Sequence, residues 1–253
     1  MVRLGQNFLR DTNLLEAIVR DAGVEPRDIV LEVGAGEGAL TGELAERVDS
    51  VHAIELDRNL RGPLEEVAGE HRNVDLVFGD AMRVDLAALH PHPTRMVANL
   101  PYSIATPLIL RTISELPSIV AWTVMVQREI ADRLRAAPGT REYGAPSVLV
   151  QLACEVRLLR RVDPAVFSPR PRVGSALLSL ERRGPAASES IVRLVRESFA
   201  HRRKSLARSL ELAAPGGREP ARGALADLGL AEDARAEQLS PQQFVALAEA
   251  LGR

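Results

Sequence analysis

The 253-residue chain is poor in cysteine, lysine and aromatic side chains. Its one cysteine, Cys154, excludes an internal disulfide and fits a reducing compartment. Cys154 stands in the apolar stretch 148–156 and is expected as a buried small residue. No run of about 18 apolar residues occurs, so no helix is expected to span a membrane. The first residues lack a basic stretch leading into an apolar segment, so no signal peptide is expected and the expected location is cytoplasmic. Five histidines lie scattered, and His90 and His92 merely flank a proline, so no metal is expected. With a formal net charge of −2, the molecule as a whole does not advertise a nucleic-acid partner.

The charge that is present has a position. Residues 155–210 carry many more arginines than acids and end in His201-Arg202-Arg203-Lys204, which holds the only lysine. Two readings stand for this segment: a solvated helix face, or a contact for RNA phosphates.

The most informative stretch is 95–108. Residues 96–98 read as a buried strand that stops at Asn99, because Pro101 cannot continue it. Asn99-Leu100-Pro101-Tyr102 then hang at the strand's carboxyl end, where open α/β sheets place their chemistry. The Asn99 amide oxygen can accept from an amino group, the Tyr102 ring can stack on a base, and Pro101 holds the two in fixed relation. That combination suits an exocyclic amine on a flat heterocycle. An Asn–Pro turn with a half-buried tyrosine uses the same residues.

Before this stretch, Asp11 or Thr12 can cap a helix, and residues 28–33 read as a strand. Gly34, Gly36 and Gly38 follow, and Leu40, Leu44 and Val48 begin a helical stripe. Strand, glycine turn and helix form the first unit of a nucleotide-binding α/β domain. The spelling fits both the Gly-x-Gly-x-Gly of S-adenosylmethionine (AdoMet) sites and the Gly-x-Gly-x-x-Ala of dinucleotide sites. A strand over 50–55 ends in Glu55, whose carboxylate can accept both hydroxyls of a ribose. A strand over 74–78 leads to Asp80, which can accept from an adenine amine or simply form the turn.

Beyond 108 the pattern predicts a helix over 106–116, a strand over 119–127 and a helix over 128–135. Residues 146–157 read as β-rich, 167–172 as a Pro-stiffened extended loop, and 175–180 as a last strand. Residues 184–188 read as a linker, followed by helical spacing of Leu194, Val195, Phe199, Leu206 and Leu210 and an N-cap at Ser240. The expected architecture is α/β: a Rossmann-like sheet domain over 1–183 and a small helical domain over 189–253.

Taken in order, Gly5-Gln6-Asn7-Phe8-Leu9, Glu32-Val33-Gly34-Ala35-Gly36, Glu55-Leu56-Asp57, Gly79-Asp80-Ala81, Asn99-Leu100-Pro101-Tyr102, Phe167-Ser168-Pro169 and Arg202-Arg203-Lys204-Ser205-Leu206 span nearly the whole chain. This set resembles the ribosomal RNA adenine N6,N6-dimethyltransferases, and within them the bacterial branch that modifies the small-subunit (16S) RNA. The resemblance implies AdoMet as cosubstrate, held by Asn7, Leu9, Gly34, Glu55, Asp80 and Asn99. It implies that the Asn99–Tyr102 tetrapeptide presents the adenine. Phe167 is the candidate for a second stacking face, or else a core plug beneath its loop. Arg202, Arg203 and Lys204 would meet RNA, and the partner would be small-subunit ribosomal RNA or an immature small subunit, bound by a monomer away from any membrane.

Three departures bear on RNA affinity or local structure more than on reaction type. Only four residues precede Gly5 where the family often has a basic arm, Gly174 stands where Asp is usual, and Arg208 where Asn is common. Competing readings are a large-subunit RNA methyltransferase of the macrolide-resistance type, a nicotinamide-dependent oxidoreductase, and an RNA-binding assembly factor with little turnover. The oxidoreductase leaves Asn99–Tyr102 unexplained.

Overall fold

Asp11 accepts from the backbone N–H of Leu14 at 3.0 Å, and this bond starts the first helix. The computed structural model describes residues 8–9 and 11–253. A two-residue strand, β1 (Phe8–Leu9), precedes that helix, α1 (Thr12–Ala22), which Gly23 closes in the left-handed conformation at φ +57°. The chain continues through β2 (Ile29–Val33), α2 (Ala39–Ala45), β3 (Ser50–Glu55), α3 (Arg61–Glu70), β4 (Val74–Phe78), β5 (Arg95–Asn99), α4 (Ala105–Glu115) and β6 (Ala121–Gln127). It then forms α5 (Arg128–Leu134), α6 (Ala145–Ala153), β7 (Cys154–Val162), β8 (Phe167–Ser168) and β9 (Ser175–Arg182). Four helices follow: α7 (Glu189–Phe199), α8 (Leu206–Ala213), α9 (Arg218–Asp227) and α10 (Pro241–Ala250).

Seven strands form one sheet in the order β4-β3-β2-β5-β6-β9-β7, and β1 pairs separately with β8. β4, β3, β2, β5 and β6 are parallel, while β9 runs antiparallel to β6 from Gln127↔Ser175 to Ala121↔Glu181. The expected α/β class therefore holds, as a mixed sheet. The strand order reverses between β2 and β5, which puts a crevice at their carboxyl ends, the usual ligand position in such sheets. Val30, Leu31, Val51, Met96, Trp122 and Val124 are fully buried, as near-continuous apolar strands covered on both faces require.

Two local expectations change. Residues 145–153 are helical, although their valines and leucines read as β-rich. Pro146 sits in the first turn, the Gly144 N–H donates to Ser147 Oγ, and Val148, Leu149, Val150 and Ala153 are buried at helical spacing. Tertiary burial overrides β propensity there. The start of the loop expected over 167–172 is a strand, β8, with Phe167 opposite Leu9.

The chain forms two compact units. One runs to Ala131 and resumes over Val156–Arg182; the other comprises Asp132–Glu155 and Arg183–Arg253. The boundary expected at 184–188 thus differs, because 132–155 packs with the C-terminal helices. In that second unit the buried Tyr143 phenol donates to the Leu239 carbonyl at 2.9 Å, and the Phe199 ring lies 6.1 Å from Tyr143 and 5.8 Å from Phe244.

In the first unit, Arg95 Nε donates to Asp28 Oδ2 at 2.6 Å, joining the amino ends of β2 and β5. Asp28 also accepts from Thr94 Oγ1 and the Glu25 N–H, and Arg95 donates to the Ala22 carbonyl at the end of α1. Removing Asp28 leaves a largely buried guanidinium without its charge partner. Asp28→Ala is expected to lose about 3 kcal/mol of unfolding free energy, measured by urea denaturation.

Candidate active site

The carboxyl ends of β2, β3, β4 and β5 enclose a cavity of about 370 Å³ in the first unit. That size lies within the roughly 300–1,000 Å³ of small-molecule sites. Leu9, Gly34, Glu55, Asp80, Asn99, Leu100, Pro101 and Tyr102, all singled out from sequence, line it together. Asn7 lies outside the described residues.

Gly34 adopts φ +81°, and a Cβ there would sit 3.1 Å from Pro101 Cδ. The missing side chain lets the turn after β2 lie directly against the turn after β5. Gly36 and Gly38 are likewise left-handed, and a Cβ on Gly38 would come within 2.9 Å of Val67 Cγ2.

Glu55 is buried at the end of β3. Its Oε2 accepts from the Gly36 N–H at 2.9 Å and its Oε1 from the Asp57 N–H at 2.8 Å. Two amides occupy two of about four acceptor positions, so each oxygen keeps a lone pair for a ligand hydroxyl. Asp80 both forms its turn, accepting from the Met82 N–H at 2.9 Å, and faces the cavity. The two sequence readings of Asp80 are compatible.

Asn99 ends β5, and among the described residues its side-chain amide makes no hydrogen bond, so its oxygen is available to a ligand. Leu100 is buried and its N–H donates to the Met125 carbonyl at 3.0 Å. The Ile104 N–H donates to the Pro101 carbonyl, which closes the turn leading into α4. Tyr102 is half-buried, with its phenol 2.7 Å from Ser175 Oγ.

Phe167 is 4% exposed, belongs to the hydrophobic core with Leu9 and is not among the residues that line the cavity, which favours the core-plug reading of the two. Its pairing with Leu9 holds it there. In the second unit Arg203 and Lys204 are exposed, whereas Arg202 donates to the Arg141 and Tyr143 carbonyls at 3.0 and 2.9 Å. Part of the Arg202 guanidinium therefore braces the loop before α6. The Gly174 carbonyl accepts from the Arg128 N–H, and Arg208 is an exposed residue in the first turn of α8, whose N–H is capped by Ser205 Oγ.

Three contributors were not singled out. Glu32, inside β2, is 1% exposed, and its Oε2 accepts from Thr41 Oγ1 at 2.6 Å. Burial pushes its carboxyl up to about 8; the Thr41 bond opposes the rise and the neighbouring Glu55 carboxylate adds to it. An acid within an apolar strand run was the available signal. Arg111 on α4 donates from Nη1 to the Ala81 carbonyl at 2.7 Å and from Nη2 to the Val84 carbonyl at 2.9 Å, clamping the loop that carries Asp80. Glu115 pairs with the same guanidinium. Ser175, the partner of Tyr102, had no sequence signal beyond its place at a strand start.

The sequence profile described as Ribosomal RNA adenine dimethylase matches residues 2–252. The chain belongs to this family. A relative from Rubrobacter xylanophilus, named Ribosomal RNA small subunit methyltransferase A, is 48% identical over 248 residues, covering 97% of this chain and 92% of that protein. Among solved structures, a dimethyladenosine transferase from Plasmodium falciparum superposes with a TM-score of 0.80 at 25% identity, covering 95% of each chain. The 23S rRNA methyltransferase ErmE gives 0.70 at 28% identity, covering 98% of this chain and all of that one. Membership of a methyltransferase family implies AdoMet as cosubstrate, and the glycine turns, the two acceptor positions on Glu55 and the Asn99 amide that the described residues leave open suit such a ligand. Among the described residues no group of three or more His, Cys, Asp or Glu is placed to hold a metal ion, and no helix is long and apolar enough to cross a membrane.

Two expectations follow from this geometry. The Glu32 carboxyl stays protonated in the native state up to about 8, against an ordinary value of 4.5 when exposed. Between these values the unfolded chain has lost a proton that the native state keeps, so stability falls as pH rises, by up to about 1.4 kcal/mol per pH unit. Glu32→Gln should flatten that slope in urea denaturation series from pH 5 to 8. Arg111→Lys should loosen the Asp80 loop and weaken AdoMet binding about tenfold, read by titration calorimetry, with turnover at saturating AdoMet within about twofold of the parent.

Proposed function

We propose that the protein transfers methyl groups from AdoMet to the N6 amines of adenines in small-subunit ribosomal RNA, giving N6,N6-dimethyladenosine. The observation that carries this reading is the Asn99-Leu100-Pro101-Tyr102 turn, with an amide that has no hydrogen bond among the described residues and an aromatic ring, packed against the glycine turn of a nucleotide-sized cavity. The small-subunit assignment is supported by the 48% identity to a small-subunit enzyme against 28% to a large-subunit one.

AdoMet supplies a methyl group already activated on a sulfonium. Glu55 would accept its ribose hydroxyls, Asp80 its adenine amine, and Leu9 and Gly34 would bound it. The adenine target must leave its stack, at a cost of a few kcal/mol. Stacking on Tyr102 offsets about 1–3 kcal/mol of this. The Asn99 side-chain oxygen and the Leu100 carbonyl accept from the N6–H groups, drawing the nitrogen lone pair out of conjugation and aiming it into the cavity. This is catalysis by positioning. The N6 proton leaves to water, so no general base is required. The exposed Arg203 and Lys204, with Arg170 and Arg172 of the first unit, meet RNA phosphates and set register. The working form is a cytoplasmic monomer acting on an immature small subunit.

The test is transfer of labelled methyl groups to unmethylated small subunits, with large subunits in parallel and the product digested to nucleosides. Dimethyladenosine from small subunits alone is the expected result, and Asn99→Ala should lower its rate by at least about 100-fold. Label in large subunits alone would reassign the substrate. Binding without label in either would make the protein an assembly factor.

A further inference from the structure

Tyr102 is fixed at both ends. Its backbone lies in the turn that the Ile104 N–H closes on the Pro101 carbonyl and that the Leu100 N–H ties to Met125 of β6. Its phenol is 2.7 Å from Ser175 Oγ. Ser175 is itself built into the sheet: it is 1% exposed, it faces Gln127 across the β6–β9 ladder, and the residue before it accepts from the Arg128 N–H at 3.0 Å. A half-buried tyrosine at a cavity mouth would otherwise sample more than one χ1 well. The hydrogen bond to a rigid strand selects one ring plane.

That selection matters unequally for the two methyl transfers. The amine of an unmodified adenine has two N–H groups, which the Asn99 oxygen and the Leu100 carbonyl can hold together. In each transfer N6 gains a bond to carbon, the sulfur–carbon bond breaks with its pair retained by sulfur, and one N6 proton leaves to water. After the first transfer a single N–H remains, so one of the two anchors is lost. The orientation of the base then depends more heavily on the ring it stacks against.

We propose that Ser175 is a positioning residue for the second methylation: by holding the Tyr102 phenol it keeps the once-methylated adenine in line, a role that rests on the adenine reading given above. The lock should count little while two N–H anchors exist and strongly when one remains.

The experiment compares Ser175→Ala, Tyr102→Phe and the double variant with the parent protein on unmethylated small subunits. N6-methyl- and N6,N6-dimethyladenosine are followed over time. Tyr102→Phe keeps the ring and removes only the phenol oxygen, so it covers the case in which Ser175→Ala folds poorly. One neutral hydrogen bond corresponds to about a fivefold effect on rate. Each single variant should therefore raise the ratio of first-step to second-step rate about fivefold, and the double variant no further, since both remove one interaction. AdoMet affinity should be unchanged in Ser175→Ala, since Ser175 does not line the cavity. Equal slowing of both steps, or additive effects in the double variant, would overturn the proposal and leave Ser175 a structural residue. If the parent protein forms no dimethyladenosine on small subunits, the functional reading itself falls and this role falls with it.

Discussion

The site depends on the absence of a side chain at residue 34. β2 and β5 share register at Val30↔Arg95 and Leu31↔Met96, toward their amino ends. At the other end Gly34, at φ +81°, turns against Pro101, and a Cβ would lie 3.1 Å from that ring and 3.4 Å from the Asn99 carbonyl. The Gly34 N–H meanwhile donates to the Ile54 carbonyl at 2.8 Å, tying the same turn to β3. One residue without a side chain thus lets the Glu55 carboxylate at the end of β3 and the Asn99 amide at the end of β5 line the same cavity. The Asp28–Arg95 pair fixes the opposite ends of these two strands. Between clasp and turn, the spacing of the two half-sites is set by backbone and not by flexible side chains.

Two buried acids meet at this cavity in different surroundings. Glu55 is buried, but two backbone amides compensate its carboxylate. Glu32 receives one hydroxyl and no amide, and it feels the Glu55 charge. Burial then favours the protonated form. Glu32 is therefore kept at this site as a neutral hydrogen-bonding group.

Much of this was legible in the sequence because the fold is built from local units with fixed punctuation. Strand, glycine turn and helix identify the first unit, and the acids at 55 and 80 and the amide at 99 fall at successive strand ends. What was not legible depended on contacts distant in sequence. The helix over Ala145–Ala153 has the composition of a strand and is helical because one of its faces is buried. Phe167 lies in an extended, proline-stiffened segment that could present its ring either way, and pairing with Leu9 turns it inward. Arg202 stands in a basic run, but carbonyls about 60 residues earlier in the chain engage it. A motif specifies which groups a site contains; long-range packing decides which of them face the ligand.

The antiparallel β9 carries a consequence for synthesis. It lies between β6 and β7, so β6 gains its second neighbour only after the chain has made β7 and returned. Until β9 arrives, β6 presents an open edge. Strands β2 to β5, joined by short parallel crossovers, can pair well before that moment. The glycine cradle and Glu55 can thus assemble while the phenol of Tyr102 still lacks its partner, which is 73 residues further on. Non-local pairings of this kind form late because loop closure precedes their reward. The order of translation therefore separates the two halves of the site in time: the nucleotide cradle can form first, and the fixed aromatic platform is complete only when the sheet has closed.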